Sequence, residues 1–223
     1  MSRFIFDDES AMDLVAGLAA TPGYVVVHGE TPSFDDVRAF VLDAIDSIPT
    51  NVLTPLGLSE LDIGVARSGF VNLKRNDDAW IQRKPWEFKP YVAQIEWDCA
   101  PVSHNMVHVT PKANVMHWVL PPHYKEPWHV HHQASFMWLI EPSSRTYYYA
   151  DGTSNSSVPK PKEVDAPKLV CSSGPEWLHA IENTGDAPYR VVRIMLKPKH
   201  ATKYHAMPDS DCCCQRLCHE TTP

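Results

Sequence analysis

Two spacings of apolar residues divide the chain. Between Asp8 and Ala19, Met12, Leu14, Val15 and Leu18 recur at helical intervals, and Asp8 or Ser10 stands where a cap belongs. After the break at Pro22-Gly23, the β-branched run Tyr24–His28 suits a short buried strand. Ser33 opens a second helix. Asp36 lies three residues on, as in a capping box, and Phe34, Val37, Val41, Ala44, Ile45 and Ile48 line one face up to Pro49.

From about Leu61 the period shortens. Runs of four to eight apolar or alternating residues, separated by Pro, Asn, Asp and Gly, fall at 69–73, 91–97, 105–109, 114–120, 135–140, 145–150, 168–171 and 189–196. Many short strands at even spacing predict an all-β antiparallel sandwich or barrel. The stretch Asp151–Pro167 reads as an exposed polar loop, and Pro208–Pro223 as a tail without pattern. The predicted layout is a helical extension over 1–60, a barrel over 61–198 and a Cys-rich tail over 199–223.

Composition removes several functions. The net charge is −7 and no Lys/Arg cluster stands out, which argues against nucleic acid as a partner. No run of 18 apolar residues offers a membrane span, and the opening MSRFIFDDES lacks the apolar core of a secretory signal. Of the six cysteines, Cys212, Cys213, Cys214 and Cys218 crowd together near the end. That is neither a disulfide framework nor C-x-x-C zinc spacing, and a cytoplasmic location is the expectation.

What stands out is 12 histidines, seven of them between His104 and His132. In Pro127-Trp-His-Val-His-His132, His129 and His131 are i and i+2, so on a strand both leave one face about 7 Å apart, while His132 leaves the other. Two imidazoles so placed bind one metal if a third ligand arrives from a neighbouring strand, and His179 is the candidate. A histidine-rich stretch is equally compatible with a solvated or pH-sensitive surface. His104 and His108 are i and i+4 on a strand-like segment, about 13 Å apart and too far to chelate one ion, and read as structural.

The segment from Leu120-Pro-Pro-His-Tyr-Lys-Glu-Pro-Trp-His-Val-His131 to Leu139-Ile-Glu141 resembles the first motif of the cupin superfamily. Ser173-Gly-Pro-Glu-Trp-Leu-His179-Ala-Ile-Glu-Asn183-Thr-Gly185 resembles the second. The resemblance implies a double-stranded β-helix, or jelly roll, holding a metal through His129, His131 and His179. Two departures matter. The family's glutamate four residues after the second histidine is replaced by Ser135, with no carboxylate anywhere from His131 to Ile140 and Gln133 as the nearest substitute. Pro142 replaces a turn glycine after Glu141, and Gly174 and Glu176 occupy the usual proline and glycine positions.

Three neutral imidazoles leave a divalent ion its full charge. Within the family such sites resemble the thiol, β-diketone and hydroxyaryl-ketone dioxygenases, which implies Fe(II), dioxygen and a small organic anion as substrate; Zn, Ni, Cu or Mn suit nitrogen ligands too. The alternatives are a lyase or isomerase that uses the metal as a Lewis acid, and a barrel that binds a small ligand without catalysis. Trp118, Trp138 and Trp177 are candidates for the substrate wall, Arg193 for a carboxylate anchor (Arg67 more weakly), and Tyr147 and Tyr149, on one strand face, for proton transfer. His117 and His123 are expected at the rim or surface. Cupins commonly pair, and Tyr24–His28 offers a strand to a partner sheet, so a homodimer is a further expectation.

Overall fold

The computed structural model describes residues 6–20, 33–74, 102–131, 133–159, 168–172 and 176–197. Three main helices come first: α1 (Asp8–Ala20), α2 (Phe34–Asp46) and α4 (Glu60–Asn72), with the single turn α3 (Thr50–Leu53) and a 3-10 turn (Thr54–Leu56) between the last two. Asp7, one residue before the expected cap, accepts the backbone N–H groups of Glu9 and Ser10 through Oδ1. The Ser33–Asp36 capping box forms as read. A second box, Ser59 with Asp62, starts α4. Residues 69–73, read as a strand, therefore close a helix. Ala66 and Phe70, four apart, bury one helical face, and this outweighs the β-prone look of Gly69-Phe-Val-Asn-Leu73.

Among the described residues nine strands follow: β1 (His104–Val109), β2 (Ala113–Leu120), β3 (His129–His131), β4 (Ser135–Glu141), β5 (Arg145–Tyr149), β6 (Ser154–Ser157), β7 (Lys168–Ser172), β8 (Glu176–Asn183) and β9 (Tyr189–Leu196). β6 lies inside the stretch read as a loop; it is polar and exposed, held to β5 by backbone pairing and a Thr146–Ser156 hydroxyl contact, so its side chains carry no apolar strand signal. The strands form two antiparallel sheets, ordered β1-β2-β9-β4-β7 and β3-β8-β5-β6. The chain crosses between sheets at β2–β3, β3–β4, β4–β5, β6–β7, β7–β8 and β8–β9. That winding is the double-stranded β-helix, a jelly roll.

Alternation along the strands sorts side chains to two sides of the five-stranded sheet. Val115, Phe136, Trp138, Val192, Ile194 and Leu196 join a core with Leu14, Val37, Val41 and Phe70 of the helices. Trp118, Leu120, Leu139, Tyr189 and Val191 face the opposite sheet, where Ile181 and Tyr147 meet them. The helical layer thus covers the outside of the barrel. It is tied there by Lys112 to Asp43 and by Ser47 to Thr110.

Asn183 closes the end of the barrel. Its Nδ2 donates to the carbonyls of Leu120 (3.0 Å) and Ala187 (2.8 Å), and its Oδ1 accepts from Ser143 Oγ and the Gly185 N–H. A Cβ at Gly185 would stand 2.4 Å from Ser143 Oγ, so this turn requires glycine. The motif residues Asn183 and Gly185 hold the hairpin that presents His179.

Candidate metal centre

β3 is three residues long and pairs with β8 so that His129 lies directly opposite His179. Period-two alternation places His131 on the same face. The three rings meet inside the barrel with centroids 4.9 Å (His129–His131), 4.6 Å (His129–His179) and 5.2 Å (His131–His179) apart, all three buried. His129 Nδ1 contacts the Pro127 carbonyl at 2.8 Å; a carbonyl only accepts, so Nδ1 carries the proton and Nε2 the lone pair. That Nε2 is buried and makes no hydrogen bond.

Two residues absent from the predicted ligand set join the cluster. His104, the first residue of β1, is buried with its ring centroid 4.7 Å from His129 and 5.4 Å from His131. Glu126, in the approach to β3, is buried with Oε1 3.4 Å from His129 Nε2. Donor atoms of His104, His129 and His131 lie within 4.8 Å of one another, as do those of Glu126, His129 and His179. The two sets share His129, and each has the donors and spacing for a divalent transition metal. Along its own strand His104 cannot reach His108. Barrel closure instead brings it to His129 from the facing sheet. Glu126 supplies the carboxylate that the stretch after His131 lacks, from three residues before His129.

The electrostatics keep the cluster ready for a cation. Burial, and then the neighbouring His179, lower the His129 pKa to about 3; burial, and then the Arg193 charge, hold His131 well below the usual range. Both rings are neutral at physiological pH, as ligands must be.

The other candidates divide. Trp118 faces inward, stacked on His104 at 5.3 Å, with its indole N–H on Glu126 Oε2 at 3.2 Å. Trp138 does not line the site. It faces the helices and packs edge-on to Phe136, because both sides of β4 are buried and alternation alone does not say which is inside. Arg193 points inward, buried, with Nε donating to Ser135 Oγ at 2.9 Å. Tyr147 stacks on Tyr149 (6.4 Å) and lies 6.1 Å from His179, with Tyr149 paired to His179 in register. His117 lies beside Arg190, whose charge, after burial, lowers its pKa. His123 pairs with Asp186 on the surface, and Arg67 with Asp46 on the helical layer. Cys171 is partly buried, and burial of its thiol pushes the pKa well up, which leaves it unreactive. His132, the Trp177 side chain, Tyr24–His28, residues 91–97 and the Cys-rich tail lie outside the described residues. Among those described, no helix is long and apolar enough to cross a membrane.

The strand winding, with the H-x-H pair and a distant histidine converging inside it, defines a double-stranded β-helix barrel, the fold that the motif resemblance implied. No family profile and no curated protein matches the sequence. Among solved structures, it is similar to a cupin domain of Bordetella pertussis (17% identity, TM-score 0.34, 42% of this chain and 91% of that one). A double-stranded β-helix cupin of Methanocaldococcus jannaschii is similar too (14%, 0.33, 55% and 97%). So is salicylate 1,2-dioxygenase of Pseudoaminobacter salicylatoxidans in complex with gentisate (17%, 0.31, 46% of this chain and 25% of that one).

Proposed function

We propose that the barrel holds a divalent metal through His129, His131 and His179, and that the protein is a non-heme Fe(II) dioxygenase of a small organic anion of the thiol, diketone or hydroxyaryl-ketone class. The observation that carries this is the meeting of three buried rings, two of them on one short strand, with the His129 lone pair fixed toward the centre. Iron bound there would supply Lewis acidity and redox capacity toward dioxygen.

The chain's own residues do the rest. Pro127 fixes the tautomer of His129. The Arg193 guanidinium, close enough to depress His131, gives the interior a positive field that favours an anion. Tyr147 brings a phenol to the His179 side of the interior, as a group able to donate a proton to a developing oxyanion. Met116, Arg193 and Met137 lie in one row across β2, β9 and β4, a soft lining that excludes water around the charge.

The test is anaerobic reconstitution with Fe(II), metal analysis, and oxygen uptake against thiols, diketones and phenolic acids. About one ion per chain, with substrate-dependent uptake, is the expected result. Failure to retain any transition metal overturns the reading. Turnover without oxygen when Zn or Ni replaces iron retains the centre and replaces the dioxygenase with a lyase or isomerase. Ligand affinity undiminished in His129→Ala points to a barrel that binds without catalysis.

A further inference from the structure

The geometry points to His104 as a fourth nitrogen ligand, delivered from the opposite sheet and locked in its binding tautomer by a hydrogen-bonded chain through Ser103, Glu126 and Trp118; this rests on the metal-centre reading above.

The chain is read from its proton count. Trp118 Nε1–H, a donor only, meets Glu126 Oε2 at 3.2 Å. Ser103 Oγ–H donates to the same oxygen at 3.1 Å. That oxygen accepts both hydrogen bonds, so the serine hydroxyl proton points at Glu126. With the single serine proton committed there, the 2.9 Å contact between Ser103 Oγ and His104 Nδ1 has the ring nitrogen as donor. His104 therefore carries hydrogen on Nδ1 and the lone pair on Nε2. His129 reaches the same tautomer by a separate route, its Nδ1–H on the Pro127 carbonyl. Two histidines from different sheets, each committed through Nδ1 to a partner outside the cluster, leave Nε2 as the ligand atom. Outer hydrogen bonds orient metal-binding histidines by this same means.

The ring plane is fixed as well. His104 stacks on Trp118 at 5.3 Å and 20°, and Trp118 is held edge-on by Tyr189 at 5.3 Å. Trp118, assigned to the substrate wall from sequence, is thus a positioning residue: its face orients His104 and its N–H holds Glu126. Glu126 Oε1 lies 3.4 Å from His129 Nε2, so the same side chain reaches the ligand atom of a second histidine.

The test uses the full chain loaded with Cu(II), with pulsed EPR to count imidazoles through their remote nitrogens and calorimetry for affinity. Four imidazoles in the unmodified protein, and three in His104→Ala with at least tenfold weaker binding, are expected. Ser103→Ala should retain a folded centre, weaken binding roughly tenfold and change the remote-nitrogen signal, since one Nδ1–H loses its acceptor. Added imidazole should restore the fourth nitrogen in His104→Gly, an outcome that a packing role for His104 does not produce. Three imidazoles in the unmodified protein overturn the inference whether or not the variants fold. If that count drops in His129→Ala and not in His104→Ala, the three-histidine centre stands and the fourth ligand falls. If the unmodified protein takes up no metal, both fall.

Discussion

On the outer side of the five-stranded sheet, Phe136 and Trp138 meet edge-to-face at 5.4 Å, and Phe136 packs against Phe70 of the helical layer at 5.8 Å. One residue back along β4, Ser135 faces the interior, as do Trp118 of β2 and Arg193 of β9 beside the histidine cluster. Both sides are largely buried, yet the packing against the helices is apolar, whereas the inner side adds hydrogen-bonded polar groups to its own apolar cluster. The outer face contributes stability by area removed from water. The inner face holds neutral bases and a charge in a dry space, which weakens the fold and favours a cation.

The sharpest way to break that contrast is Phe136→Ala. It should cost about 3–5 kcal/mol of unfolding free energy, as deleting a buried aromatic does, while metal affinity per folded molecule stays unchanged. Denaturant melts paired with calorimetry check it, and a large loss of affinity would show that the two faces are coupled. Acid should act chiefly on the inner face, where His129 carries the large shift. Because His129 titrates near 3 in the folded protein against 6.5 in the unfolded chain, the unfolded chain gains a proton that the folded one refuses. Stability is full above pH 6.5 and is lost as pH falls toward 3, by about 2 kcal/mol at pH 5 from this residue. A metal-free melting midpoint that stays level from pH 7 to 5 would contradict this. The smallest effect is at the edge of the helical layer: Ser33→Ala removes the cap of α2 and should cost about 1 kcal/mol, with no change in metal affinity.

Much of this contrast was legible in the sequence, and the misses share a cause. Alternation in β2, β4 and β9 placed strands and the H-x-H pair, because both are local. Whether Trp118 or Trp138 faced inward was not legible, since the phase of a strand buried on both sides is set by its neighbours. His104 and Glu126 escaped because each reaches the cluster only through pairings between distant segments. The case of α4 differs. Its signal was present, as the Ser59–Asp62 box and the Ala66–Phe70 spacing, and a short apolar run near its end masked it.

The order of the cluster along the chain has a kinetic consequence. His104 comes from β1, Glu126 and His129 from around β3, and His179 from β8, so no fragment shorter than 104–179 contains all the donors. The last of them arrives only after β4 to β7 are in place, and closing so large a loop is slow. An ion recognising this arrangement would bind the finished barrel and ignore its precursors. At a hundredfold over its dissociation constant it adds about 2.7 kcal/mol to the native state. That gain should appear almost wholly as slower unfolding, leaving the folding rate untouched. The bound ion would act as a latch on a completed barrel.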